Sequence, residues 1–69
     1  MAKYTVLIEQ DEEGWFVSEV VELPGCHTQA KTIDELISRT REAIQAYLEN
    51  ETDVHIETKF IGVQQVEVA

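Results

Sequence analysis

Trp15 follows three acids and a glycine, Asp11-Glu12-Glu13-Gly14, and two more acids, Glu19 and Glu22, stand just downstream. A large aromatic flanked by carboxylates is suited to recognition rather than to bond-breaking. The ring offers apolar area to a partner, and the acids attract a cationic one over long range. Asp11, Glu12, Glu13, Trp15, Glu19 and Glu22 are therefore the candidate partner contacts. The competing reading is structural: the tip of a hairpin with a half-buried aromatic ring.

Residues suited to covalent or metal chemistry are few. Cys26 is the only cysteine, so no intramolecular disulfide can form and a Cys-based metal site is not expected. It reads as a small buried hydrophobe beside a turn. His27 and His55 lie in a turn and a polar loop, with no Cys or paired His at ligand spacing. Cys26 and His27 adjoin in sequence, which does not bring thiol and imidazole into hydrogen-bonding geometry, so they are not read as nucleophile and base. No catalytic, cofactor-binding or metal-binding residue is expected, and no cofactor.

Charge narrows the partners. Fourteen acidic residues against five basic ones give −9, distributed as −4 over residues 1–31, −2 over 32–50 and −3 over 51–69. No segment carries a basic patch, so phosphate backbones are repelled and direct nucleic-acid binding is not expected. No run approaches the ~20 apolar residues needed to cross a bilayer, and the N-terminus lacks an apolar signal core, so a cytoplasmic protein is expected. With 69 residues, 43% of them hydrophobic, there is room for one small domain, spanning 1–69, around one core.

The elements that must position these residues are organised around one helix. Thr32 reads as its N-cap, and Glu35 three residues later completes a capping box. Ile33, Leu36, Ile37, Thr40, Ile44, Tyr47 and Leu48 recur at helical spacing and give one apolar face. Glu35 can pair with Arg39, and Asn50 is a candidate left-handed terminator. Lys3–Gln10 and Trp15 to Val21 or Glu22 are extended runs joined by a polar turn ending in Gly14. They predict an antiparallel hairpin with Tyr4, Val6, Ile8, Phe16, Ser18 and Val20 facing the helix. Leu7, Trp15, Val17 and Val21 then lie on the other face among Thr5, Glu9 and Glu19. One helix covers only one face, which predicts self-association, a homodimer or higher homo-oligomer. Leu23-Pro24-Gly25-Cys26 is a sharp turn, and Cys26–Lys31 a short third strand. A brief extended piece is expected around Val54 and Ile56, and a last strand at Val63–Val68. The order β-β-β-α-β is that of an α+β domain.

The run from Gly14 to Leu48 resembles the HicB-like antitoxin family of type II toxin–antitoxin systems. The likeness is carried by Asp11-Glu12-Glu13-Gly14-Trp15-Phe16-Val17, Leu23-Pro24-Gly25-Cys26, Thr28-Gln29, Thr32-Ile33-Asp34-Glu35-Leu36 and the helical tail Glu42–Glu49. The resemblance implies a partial ribonuclease-H-like fold: three strands, a helix and a fourth strand, with an antiparallel hairpin sheet covered by one helix. It also implies a partner, a small basic toxin that cleaves RNA, which the antitoxin neutralises by direct binding. Two positions depart from the family pattern, Val21 where Pro is common and Ala30 where Gly is common. If residue 30 required positive φ, Ala there would be strained by about 1 kcal/mol. Many family members continue into a DNA-binding module. Residues 51–69 are too few and too acidic for one, so operator binding is not carried over.

An enzyme of the ribonuclease-H-like kind needs carboxylates clustered on a strand centre, a helix and a later strand to hold divalent metal. Here the centre of the first strand, Thr5-Val6-Leu7, has no acid; Glu9 lies at its end, Glu35 belongs to the cap and Glu67 is nearly terminal. The expectation is a non-enzymatic antitoxin. The rival is a stand-alone α+β module of the same fold that binds another protein or a small ligand and has no toxin.

Overall fold

Gly14 takes φ of +90° and Gly25 φ of +85°, and these two positions turn the chain at the ends of the second strand. The computed structural model describes residues 2–50 and 58–69. Strand β1 is Val6–Gln10, β2 Phe16–Val20 and β3 His27–Ala30, followed by helix α1, Ile33–Asn50. The sheet has the order β1-β2-β3 and is antiparallel throughout. Val6 faces Val20 and Ile8 faces Ser18; across the second pair, Phe16 faces Ala30 and Ser18 faces Thr28. Three antiparallel strands and one helix make an α+β architecture.

This register places Val6, Ile8, Phe16, Ser18 and Val20 on the helix side, as the alternation predicts. The strands are one to three residues shorter at their ends than the extended runs. Ser18 is fully buried under the helix beside Val20, while Leu23 and Cys26 from the turn complete the core with Ala30 and Leu36. Tyr4, Val6, Ala43, Ile44 and Tyr47 pack partly buried around Val20, Leu23 and Cys26. Full burial of a leucine such as Leu23 or Leu36 contributes about 1.5–3 kcal/mol. Ile8 departs from the expected inward set: it is exposed, because α1 lies over β2 and β3 and not over β1.

The helix begins where its cap places it. The Thr32 hydroxyl accepts from the Glu35 N–H at 3.1 Å, and Leu36 N–H donates to the Thr32 carbonyl at 2.9 Å. Only half of the expected capping box forms, since the Glu35 carboxylate pairs with Arg39 instead of the Thr32 N–H. Arg39 also donates to the Gln29 carbonyl at 2.9 Å, tying the helix to β3. At the other end Asn50 is not left-handed; no residue but glycine has positive φ among the described residues, and Asn50 Nδ2 donates to the Ala46 carbonyl at 2.9 Å. Ala30 is likewise unstrained, a buried β3 residue.

The apolar stripe of the helix is only partly covered. Leu36 and Thr40 are buried, whereas Ile33, Ile37 and Leu48 remain exposed. The fourth strand expected at Val63–Val68 does not form in the single chain: residues 58–69 carry no strand and are exposed. A strand exists through its ladder of hydrogen bonds, and this segment lies on no partner among the described residues. Val54, Ile56 and His55 lie outside the described residues.

Candidate functional site

The turn that precedes Trp15 is built by Asp11. Its Oδ1 accepts from the Glu13 and Trp15 N–H groups, each at 2.9 Å, its carbonyl accepts from Gly14 at 3.1 Å, and its own N–H donates to the Trp15 carbonyl at 2.9 Å. An aspartate that bonds its own backbone two and four residues on is a turn former, so its carboxylate is committed to the fold. Glu12 and Glu13 stand exposed at the tip. Trp15 is half-buried, with the Lys31 ammonium 4.0 Å from its ring centroid, a cation–π contact that the sequence reading missed.

Along β2 the odd-numbered side chains point away from the helix. Trp15, Val17 and Glu19 therefore share the outer face with Leu7 and Glu9 of β1 and with His27 and Gln29 of β3. Glu19 lies between Leu7 and His27 in the register. Leu7, Glu9 and Glu19 are exposed and Val17 half-buried. Among the described residues no element covers this face. It presents an apolar strip, Leu7, Val17 and Trp15, bordered by the carboxylates of Glu9 and Glu19.

Glu22 stands apart. Its Oε1 accepts from the Thr5 N–H at 2.7 Å, closing the open end of the hairpin. Burial pushes its pKa up, but hydrogen bonds from Thr5 outweigh that and hold it below the ordinary carboxylate value. Of the six candidate contacts, Trp15 and Glu19 are thus brought onto one face with Glu12 and Glu13 at its tip, while Asp11 and Glu22 serve the backbone. His27 and Gln29 join that face through the β2–β3 register, a pairing readable only once the turn at Leu23–Cys26 fixes it, and Lys31 joins it through its contact with the Trp15 ring.

The remaining chemistry-bearing groups are separated. Cys26 is buried in the core, and that burial raises its pKa, which disfavours the reactive thiolate. His27 is exposed on β3. Among the described residues no three His, Cys, Asp or Glu side chains gather as a metal site. Among them, too, no helix is long and apolar enough to cross a membrane.

Comparison with known proteins agrees with the motif pattern. A family model described as HicB-like antitoxin of bacterial toxin–antitoxin systems matches residues 4–67. The chain is 54% identical over 66 residues to a UPF0150 protein of Archaeoglobus fulgidus, covering 96% of this chain and 94% of the relative. A UPF0150 protein of Synechocystis is 44% identical over the same shares. One from Thermoplasma acidophilum is 52% identical over 48 residues, 70% of each chain. Membership supports an antitoxin role in general, non-enzymatic and with a toxin as partner. With the family model matched over residues 4–67, the chain belongs to the HicB-like antitoxin family of bacterial toxin–antitoxin systems.

Proposed function

We propose that this chain neutralises a small basic RNA-cleaving toxin by direct binding in the cytoplasm, with the outer face of the sheet as the contact. The observation that carries the reading is the uncovered strip Leu7, Val17 and Trp15, bordered by Glu9 and Glu19, on a chain of net charge −9. The carboxylates speed encounter with a cationic RNA-binding surface, and the apolar strip supplies the desolvated centre that tight binding requires. The inhibitor acts as one domain and as a homodimer, in a ribonuclease-H-like fold whose fourth strand is completed on assembly, and it neither cleaves nor binds RNA.

The test is an RNA cleavage assay with the purified toxin encoded beside this chain and increasing amounts of the chain. Cleavage is expected to stop at stoichiometric antitoxin. Undiminished cleavage at molar excess, with no complex on a sizing column, overturns the reading.

A further inference from the structure

The odd residues of β1 spend their backbone groups on β2. Val21 N–H donates to the Thr5 carbonyl and Asp11 N–H to the Trp15 carbonyl, both at 2.9 Å. In an antiparallel pair these narrow sites alternate with wide ones, so the N–H and C=O groups of Val6, Ile8 and Gln10 point to the outer edge. That edge pairs with no strand among the described residues. Beside it runs a cleft of about 440 Å³ between β1 and the helix, whose apolar walls are Tyr4, Val6, Ile37, Ile44 and Leu48. Among the described residues its one charged wall is Arg41.

The same chain carries a segment shaped for such a place. Ile61, Val63, Val66 and Val68 are 86%, 75%, 77% and 88% exposed. Branched residues of this kind favour strands, and residues 60–68 hold a single charge, Glu67. Apolar side chains occur at both parities, matching an edge with Val6 and Ile8 on the helix side and Leu7 on the other.

We propose that residues 60–68 of one chain add as a strand to the outer edge of β1 in a second copy, filling the cleft beside the helix. The second copy is the occupant because every chain with an open edge also carries the segment, which in the single chain stands in solvent. A reciprocal exchange about a two-fold axis therefore satisfies both edges and closes the assembly. Glu67 and Arg41 supply opposite charges within an association that the acidic surface otherwise opposes. The inference rests on the dimeric part of the proposed function, and it says how the fourth strand is completed.

The experiment uses the intact 69-residue chain with no toxin present. Sedimentation equilibrium is expected to give twice the 7.9 kDa chain mass. In a mixed dimer of labelled and unlabelled chains, isotope-filtered NMR is expected to show contacts from the methyls of Val63, Val66 and Val68 to Val6 and Ile8 of the other chain. Val66→Asp is expected to weaken the dimer at least about tenfold while the helical circular-dichroism signal is kept, because a carboxylate is expelled from an apolar cleft. A monomer, tail contacts confined to one chain, a dimer without tail contacts, or an unaffected Val66→Asp dimer each overturns the exchange. Any of these leaves toxin neutralisation to be decided by its own cleavage assay.

Discussion

Ser18 of β2 and Thr40 of the helix bond hydroxyl to hydroxyl at 2.7 Å in the core, where Ser18 is fully buried and Thr40 nearly so. The direction of the bond follows from the helix. Thr40 Oγ1 donates its only proton to the Leu36 carbonyl at 2.6 Å, so Ser18 must be the donor to Thr40. Two small polar residues let the helix sit close over the sheet without leaving an unmet donor.

That chain of donors predicts unequal costs. Ser18→Ala removes a donor whose acceptor keeps its bond to Leu36, and should cost about 1 kcal/mol. Thr40→Val keeps the volume but strands the Ser18 hydroxyl in the core, and should cost more, about 2 kcal/mol. The double mutant should cost less than the sum of the two single changes. Urea unfolding of the four proteins checks this; strictly additive costs would show that the two hydroxyls act independently.

The half-formed capping box makes a second contrast. Thr32→Ala loses the acceptor for the Glu35 N–H and should cost about 1 kcal/mol. Glu35→Gln touches only an exposed pair with Arg39, whose side chains are 47% and 43% exposed, and should cost a few tenths of a kcal/mol. Comparable losses for both, read from denaturation midpoints, would mean that a reciprocal box forms in solution.

Much of this fold was legible from the residues. The two-residue period of a strand groups Ser18 with Val20, and the small Ser18 suits the side beneath a helix although both faces carry apolar residues; the Thr32-Ile33-Asp34-Glu35 signature marks where the helix starts. The misses have physical causes. Ile8 was placed inward by its parity, but parity does not tell how far across the sheet a helix reaches. Asn50 was assigned a left-handed terminus, yet its amide found the Ala46 carbonyl and kept the helical conformation. The Lys31–Trp15 contact depends on β2–β3 register, which no local pattern encodes. The strand expected at Val63–Val68 does not form in the single chain, because branched residues favour an extended run but do not supply the edge that would pair with it.

Glu22 gives a pH dependence whose sign is fixed. Burial pushes its pKa up, but the hydrogen bonds from Thr5 overcome this and hold the folded pKa below the ordinary carboxylate value. The ionised carboxylate therefore stabilises the hairpin fully above that value, and the contribution is lost as pH falls through the lower folded value. Glu22→Gln keeps an acceptor for the Thr5 N–H and removes the titration. The stability gap between parent and variant should narrow as pH drops from 7 to 3 in urea melts, against a background of shared repulsion among the other acids. A gap constant across that range would show that the charge on Glu22 adds nothing to the bond.

The outer face makes a prediction that separates its two kinds of residue. In the proposed complex Trp15 supplies the buried apolar area, so Trp15→Ala should act on the lifetime of a toxin complex, raising its dissociation rate at least about tenfold. Its effect on the free chain should be small, because the ring is half-buried and loses mainly the cation–π contact with Lys31, about 0.5–1 kcal/mol. Glu9 and Glu19 are exposed and act at a distance, so Glu9→Gln with Glu19→Gln should slow association and flatten its dependence on salt, with little change in dissociation. Surface plasmon resonance at two ionic strengths resolves the two rates. If Trp15→Ala leaves the dissociation rate alone and the double glutamine variant leaves the salt slope alone, the toxin docks elsewhere on the molecule, and the strip Leu7, Val17 and Trp15 is only the exposed back of the sheet.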